Sequence, residues 1–453
     1  MPRIVIAALL LSLSGCPSGN SDPAPTPTPE PAAVPATPPS DEPPAAPEVP
    51  ADSPASQTAT DTPTPPAERP FREVMSEKLG INAMFLESTV ALFDGETFFG
   101  WRLEDAPDGV WSVEDGAIVG RGEEADILFT AMPWIEGQLK LEVKLSPGGN
   151  SGVFVRSSLN PKDLTADTFE LNLASEHPEG YTTGSIVGRK KVDEPWPAVD
   201  DGEWHKLFIT LTDTAVAWQL QNGDEVRVKL SDADRRTGYI GLQHRTGDVA
   251  FRRITFRPKL PRTLMDDLDG WHVVNQRMKD GTLADVSFEQ GDNGFRATGG
   301  PGFLESDATY ADFIFHGYFT TNAPDVNSGL FYRTIKGTPE APSNGYEVQI
   351  HNGFEGPDRK PTNAGTGAIF RRQDARLVAA EDGSPACVTV NVYGDRVMTW
   401  VNGYPVVDWT DEREPDENPR RGMRLEAGHL SFQAHDPGTD VTVRNVGVMA
   451  FPE

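Results

Sequence analysis

The sequence predicts an all-β protein of two tandem antiparallel sandwiches, or jelly rolls, carried behind a Pro-rich leader. Three observations predict it. From Leu92 onward, short alternating apolar and polar runs recur between Gly, Pro, Asn and Asp, and no long amphipathic helical stretch interrupts them. One unit occurs twice: Asn150-Ser151-Gly152-Val153-Phe154-Val155-Arg156 returns as Asn327-Ser328-Gly329-Leu330-Phe331-Tyr332-Arg333, each reading as a tight polar Asn-Ser-Gly turn that feeds a strand. The chain's 453 residues also exceed one core at roughly 150 residues per domain.

The leader comes first. Arg3 precedes an apolar run from Ile4 to Leu13 that is too short to span a membrane, and Leu13-Ser14-Gly15-Cys16 resembles the bacterial lipobox. Residues 1–15 therefore read as a lipoprotein signal peptide and Cys16 as the lipidation site. That places the protein at the cell envelope, anchored to a membrane on its periplasmic or outer surface. Residues 16–70 are Pro, Ala, Thr, Ser and acidic residues, too poor in apolar surface to fold, and they read as a disordered, extended tether. A short connecting segment, 71–90, contains Met75-Ser76-Glu77-Lys78-Leu79, which suggests a short helix or turn.

Two domains follow, 91–258 and 263–451, divided near Pro258-Lys259-Leu260-Pro261-Arg262. Strands are expected in the first at 138–145, 205–211, 215–220, 225–230 and 249–256. In the second they are expected at 313–319, 329–333, 346–350, 368–371, 388–393, 397–401, 429–434 and 441–448. Gly100-Trp101 answers Gly270-Trp271, Phe169 to Leu173 answers Tyr346 to Ile350, and Gly241-Leu242-Gln243-His244 answers the segment Leu430 to His435. Offsets of about 170 to 190 positions are far beyond solenoid periods, so each copy is a whole domain.

Charge and cysteine content exclude several functions. With 68 acidic against 40 basic residues the net charge is −28, which argues against a nucleic-acid partner and against electrostatic capture by an anionic membrane. Cys16 and Cys387 form no disulfide framework or zinc spacing, and Cys387 reads as a small core residue.

Strand alternation locates candidate chemistry. Glu347, Gln349 and His351 share one face, roughly 6.6 Å apart, opposite Tyr346, Val348 and Ile350. The first copy keeps Glu170 and Asn172 and has Ala174 in the third place. Alternation also pairs Phe154 with Arg156 and Phe331 with Arg333. A carboxylate, an amide, a ring face and a guanidinium together suit sugar hydroxyls; an ion pair on a solvated sheet face is the competing reading. After the Gly-[Ser/Ala]-Ile segment each copy has a basic loop, Gly188-Arg189-Lys190-Lys191 and Arg371-Arg372-Gln373-Asp374-Ala375-Arg376, read as a solvated loop or as a contact to an acidic sugar.

Leu92-Phe93-Asp94-Gly95, Trp111-Ser112-Val113-Glu114-Asp115-Gly116, Asn150-Ser151-Gly152, Glu203-Trp204 and Gly241-Leu242-Gln243-His244 together resemble the 3-keto-disaccharide hydrolase domain family. So do Gly345-Tyr346-Glu347-Val348-Gln349-Ile350-His351-Asn352, Gly365 through Arg372 and Trp400-Val401-Asn402-Gly403 in the second half. The resemblance implies a concanavalin-A/laminin-G-like jelly roll in each copy. It also implies cleavage of glycosides oxidised at C3, where a base removes the acidified C2 proton, the glycosidic oxygen leaves, and water adds to the enone. Glu347 or His435 is then the base, with Arg333, Gln349 or a divalent metal ion at the oxyanion. In the first copy the counterparts are Glu170, His244 and Arg156, and His177 is an added loop candidate. Gln349, His351, Phe331, Asn172, Phe154, His177 and Arg371 are the expected substrate-binding residues. Rival readings are a non-catalytic tandem carbohydrate-binding lipoprotein and a protein-binding scaffold. Nothing in the residues says which copy is catalytic.

Overall fold

A computed structural model describes residues 71–79, 89–194, 196–221, 223–259, 265 and 267–452. The signal peptide, the anchor at Cys16 and the tether lie outside the described residues.

Each half folds into two antiparallel sheets packed face to face. In the first, strands Asp126–Phe129, Tyr239–Thr246, Asn150–Ser157 and Phe169–Leu173 lie in that spatial order as a four-stranded sheet, and an eight-stranded sheet backs it. The second half repeats the plan. Its smaller sheet runs Trp271–Asn275, Gly302–Tyr310, Gly428–Ala434, Ser328–Thr334 and Tyr346–Ile350, backed by seven strands. Spatial neighbours are often distant in sequence, as a jelly roll requires.

Alternation places the core. Leu139, Leu141, Val143 and Leu145 of strand Gly137–Leu145 point inward and meet Val153, Val155 and Leu171. Val388, Val390 and Val392 of strand Ala386–Tyr393 meet Leu330, Val348 and Ile350. Burying each of these side chains contributes roughly 1.5–3 kcal/mol. Cys387 is buried in that same strand.

The two sandwiches are packed together. Helix Phe71–Leu79 precedes the first sandwich, yet its Met75 and Leu79, one turn apart, are buried in the core of the second. Ala91 donates its N–H to Gly403 O at 2.8 Å, and Trp400 Nε1 donates to Ala91 O at 2.8 Å. Trp134 and Trp400 pack with ring centroids 5.5 Å apart, and Arg376 reaches the fully buried Asp94 at 2.8 Å.

Two expectations about the repeated motif are corrected. Asn-Ser-Gly is not a turn: its serine and glycine lie inside the strands. Ser151 Oγ donates to Gln243 O at 2.7 Å, and Ser328 Oγ donates to Gln433 O at 2.6 Å, so each serine ties its strand to the next. The alternation also fails at the arginines. Arg156 and Arg333 adopt left-handed φ of 55° and 49°, and the pairing with the neighbouring strand slips there, so each side chain leaves the face of its phenylalanine.

Candidate functional site

Strand Tyr346–Ile350 turns Tyr346, Val348 and Ile350 into the core and Glu347, Gln349 and His351 to the other face, as alternation predicts. That other face is not wet. Glu347 is 7% exposed and Gln349 is fully buried, because segments 366–373 and 411–427 close over the strand. Across the sheet Glu347 stands opposite Phe331, and Glu170 stands opposite Phe154 in the first copy. Phe331 meets Phe303 edge-on at 5.2 Å. The outer row of each smaller sheet is therefore a carboxyl set beside an aromatic floor.

Gly329 makes room for that carboxyl. A Cβ there would come within 3.1–3.2 Å of Glu347 Cγ and Oε1 and of the Phe331 ring. Gly152 is slightly looser, with Gln243 Oε1 at 3.2 Å and its nearest Glu170 atoms at 3.4 Å. Gly329→Ala is expected to cost about 1–3 kcal/mol by overpacking and to displace Glu347, with Gly152→Ala milder. Thermal melts of the two variants, run beside turnover, check this.

Burial pushes the Glu347 carboxyl up to about 7, against a partial downward pull from the charges of Arg420, His435 and Arg371. Burial also raises Glu170, which Gln243 and Arg245 partly offset. The cation beside Glu347 is Arg420, with Nη2 3.5 Å from Oε2 and its guanidinium carbon 5.2 Å from the Phe331 ring centre. His435 is exposed, and its Nδ1 is taken by Asp436 at 2.7 Å, so Nε2 is the nitrogen left for a ligand. The side-chain oxygens of Gln349, Gln433 and Gln243 are buried without a hydrogen-bond partner. Such acceptors call for a donor, and sugar hydroxyls are donors.

Arg333 is not at this site. Its Nε, Nη1 and Nη2 donate to the carbonyls of Ala311, Arg424 and Gly394 and to Asp312 Oδ1, all at 2.8–2.9 Å, so it is a buried strut between the sheets. Arg156 does the same in the first copy through the carbonyls of Thr212 and Arg235, and burial lowers it to about 10. His244 is also corrected. Strand register pairs Leu242 with Val153 and Phe432 with Leu330, which makes Gln243 the counterpart of Gln433 and Arg245, not His244, the counterpart of His435. His244 is fully buried, its two ring nitrogens set against the carbonyls of Glu124 and Gly247.

The other predicted residues divide. Asn172 Nδ2 donates to Tyr181 O, and His177 lies edge-on to Tyr181 while accepting from the Glu179 N–H, so both are spent on holding a loop. Gln349 Nε2 donates to Asn327 Oδ1 at 2.8 Å, and His351 Nδ1 accepts from the Gly353 N–H at 3.2 Å. Arg371 is exposed at the rim and faces Glu347 electrostatically. Among the described residues, no three His, Cys, Asp or Glu side chains are grouped to hold a metal ion.

Sequence reasoning missed Arg420 and Gln433. Arg420 sits 73 positions from Glu347, and no local pattern links them. Gln433 was within reach, since the Gln is common to both copies.

The cleft bounded by Glu347, Arg371 and Arg420 is about 60 Å³, smaller than a sugar ring needs, and the exposed Arg420 side chain lies at its wall. A far larger cavity, about 850 Å³, opens in the first sandwich beside Trp196, Trp204 and Glu225; neither Glu170 nor Glu347 lines it.

Fold and site together define a tandem jelly-roll protein with one buried carboxyl set opposite a phenylalanine in each copy. The chain belongs to the 3-keto-alpha-glucoside-1,2-lyase-like domain family, whose model matches residues 88–257 and again 261–449. It is similar to the 3-keto-disaccharide hydrolase of Bacteroides thetaiotaomicron, 25% identical over 240 aligned residues that cover 40% of this chain and 81% of that protein. Among solved structures it is similar to a candidate glycosyl hydrolase from Parabacteroides distasonis, with TM-score 0.32, 23% identity, and 38% and 94% of the two chains covered. It is also similar to the carbohydrate-binding module CBM66 from Bacillus subtilis, with TM-score 0.29, 15% identity, and 40% and 96% covered. At such TM-scores neither structural likeness bears on function.

Proposed function

We propose that the chain cleaves the glycosidic bonds of 3-keto-glycosides, 3-keto-disaccharides among them, and that the second sandwich does the chemistry. The observation that carries this reading is a buried carboxyl, Glu347, set beside the exposed guanidinium of Arg420 and the ring of Phe331. Ionised Glu347 takes the proton from C2 of the sugar, whose acidity comes from the neighbouring C3 ketone. The electron pair moves onto the ketone oxygen as an enolate, which Arg420, no longer held by Glu347 once the carboxylate is protonated, stabilises. The enolate then collapses, the C1–O bond breaks, and the leaving oxygen takes a proton, for which His435 is the nearby donor. Water adding at C1 of the enone returns the 3-keto sugar. Phe331 offers the ring face, and Gln349 and Gln433 accept hydroxyl donors.

Membership of the family and the name of the Bacteroides relative support the substrate class. The first sandwich departs at two of these positions: Arg245 replaces His435, and Gly188 replaces Arg371. It keeps a buried carboxyl, Glu170, opposite the ring of Phe154, which favours a binding role there. We further infer work at the cell envelope behind a lipid anchor, from residues 1–16 alone. Release of nitrophenol from a nitrophenyl 3-keto-glucoside by the full chain tests the activity; retained sugar binding without release would leave only the lectin-like reading.

The pH dependence follows from the raised carboxyl. A base must be ionised, so kcat/KM is expected to fall as pH drops through about 7. Stability runs the other way. The folded chain holds a proton that the unfolded chain loses near 4.5, so this group lowers stability as pH rises from about 4.5 to 7, by on the order of 3 kcal/mol. Against Glu347→Gln, which carries no such proton, wild type should lose relative stability across that window. Paired denaturant titrations at pH 5 and 8 measure the difference.

A further inference from the structure

The rim of the second groove carries more positive charge than the enolate chemistry uses. Arg371, Arg372 and Arg420 line the cleft around the single carboxyl of Glu347. Arg372 is tied by Nη2 to the carbonyl of Arg420 at 2.8 Å rather than to an acid, and burial lowers its basicity. Arg371 makes no ion pair to a described residue and is held in the left-handed region at φ 62°, its guanidinium carbon 5.3 Å from the Phe370 ring centre. All this stands in a chain of net charge −28. Neighbouring arginines on the same loops are neutralised in the ordinary way: Arg413 by Asp411 at 2.7 Å and Arg421 by Asp416 at 3.1 Å.

The first sandwich is an internal control. Strand pairing places Ile186 where Ile369 stands in the second copy, so Gly188 and Arg189 occupy the positions of Arg371 and Arg372. Gly188 keeps the left-handed backbone, φ 70°, without the side chain. Arg189 is paired to Asp234 at 2.6 Å and lies over Phe169 at 3.8 Å. At these two positions the first copy thus lacks one guanidinium and pairs the other with an acid, although its Lys190 and Lys191 make no ion pair to a described residue, whereas Arg371 and Arg372 of the second copy both stay without one.

We propose that the second groove selects glycosides bearing a fixed negative charge, a carboxylate or a sulfate ester, and that Arg371 is the residue that reads it. A planar guanidinium matches both oxyanions through paired N–H donors. This inference rests on the sugar-cleaving reading for the word glycoside, whereas charge selection is a binding property measured apart from turnover.

The test is calorimetric titration of the full chain with glucose, glucuronate, glucose 6-sulfate and inorganic sulfate, for wild type and Arg371→Gly. Glycine accepts the left-handed φ and copies Gly188, so the variant is expected to fold; Arg371→Lys, which keeps the charge, is the second variant. Glucuronate or glucose 6-sulfate, or both, should bind wild type about tenfold more tightly than glucose, and the ratio identifies which oxyanion is preferred. The advantage should shrink at high salt, fall to about twofold or less in Arg371→Gly, and survive in part in Arg371→Lys. Equal binding of neutral and anionic sugars would overturn the inference. So would inorganic sulfate binding as tightly as either anionic sugar, since that describes an adventitious anion, or an unchanged advantage in Arg371→Gly. Absence of keto-glucoside cleavage with these ratios intact would remove the enzyme reading and leave charge selection standing.

Discussion

Glu347→Gln is expected to lower kcat/KM on a 3-keto-glucoside by at least a hundredfold, while Glu170→Gln stays within about threefold of wild type. General-base catalysis contributes roughly 10²–10⁴ in rate, and the amide is nearly isosteric but cannot accept the C2 proton. The asymmetry is the stronger part of the prediction. Both carboxyls are 7% exposed beside a phenylalanine, but only Glu347 has an arginine on its carboxylate and a histidine within its field. Leaving-group release by the two variants, measured side by side at pH 8, checks it. Equal losses would mean that both copies turn over; no loss in either would remove both carboxyls as bases.

Arg333→Ala is expected to act on stability rather than on chemistry. The side chain is 3% exposed and satisfies three carbonyls and Asp312 at the end of the second sandwich. Removing one partner of a buried charged network costs about 3–5 kcal/mol; with Asp312 one-third exposed, the lower end applies. At roughly 2–4 °C per kcal/mol for a domain of this size, the melting temperature should fall by about 6–12 °C. Below the transition, kcat should stay within a few-fold of wild type. Were Arg333 the oxyanion partner, kcat would fall by about 10²–10³ with the fold intact. A melt and a rate on one preparation separate the two.

The two roles assigned to arginine show how far local pattern reaches. Period-2 alternation correctly sent Glu347, Gln349 and His351 away from Tyr346, Val348 and Ile350, because that strand is extended without interruption. The same rule misplaced Arg156 and Arg333, since one left-handed residue reverses the parity of everything it carries. Likewise the aligned Gln-His and Gln-Ala-His segments look as though histidines correspond; strand register puts Arg245 opposite His435.

The amino-acid sequence by itself determined the duplication, the all-β class, the carboxyl-bearing strand of each copy and the family. These are written in short-range periodicity and in ordered motifs that recur, and local backbone geometry suffices to read them. Only the tertiary structure decided which guanidinium meets Glu347, that the polar row is buried, and that Arg189 of the first copy is paired to Asp234 while Arg371 and Arg372 make no ion pair to a described residue. Those outcomes depend on loops that return from tens of residues away and on how much water they exclude. Desolvation and charge pairing are properties of the packed site, not of the strand that carries the carboxyl.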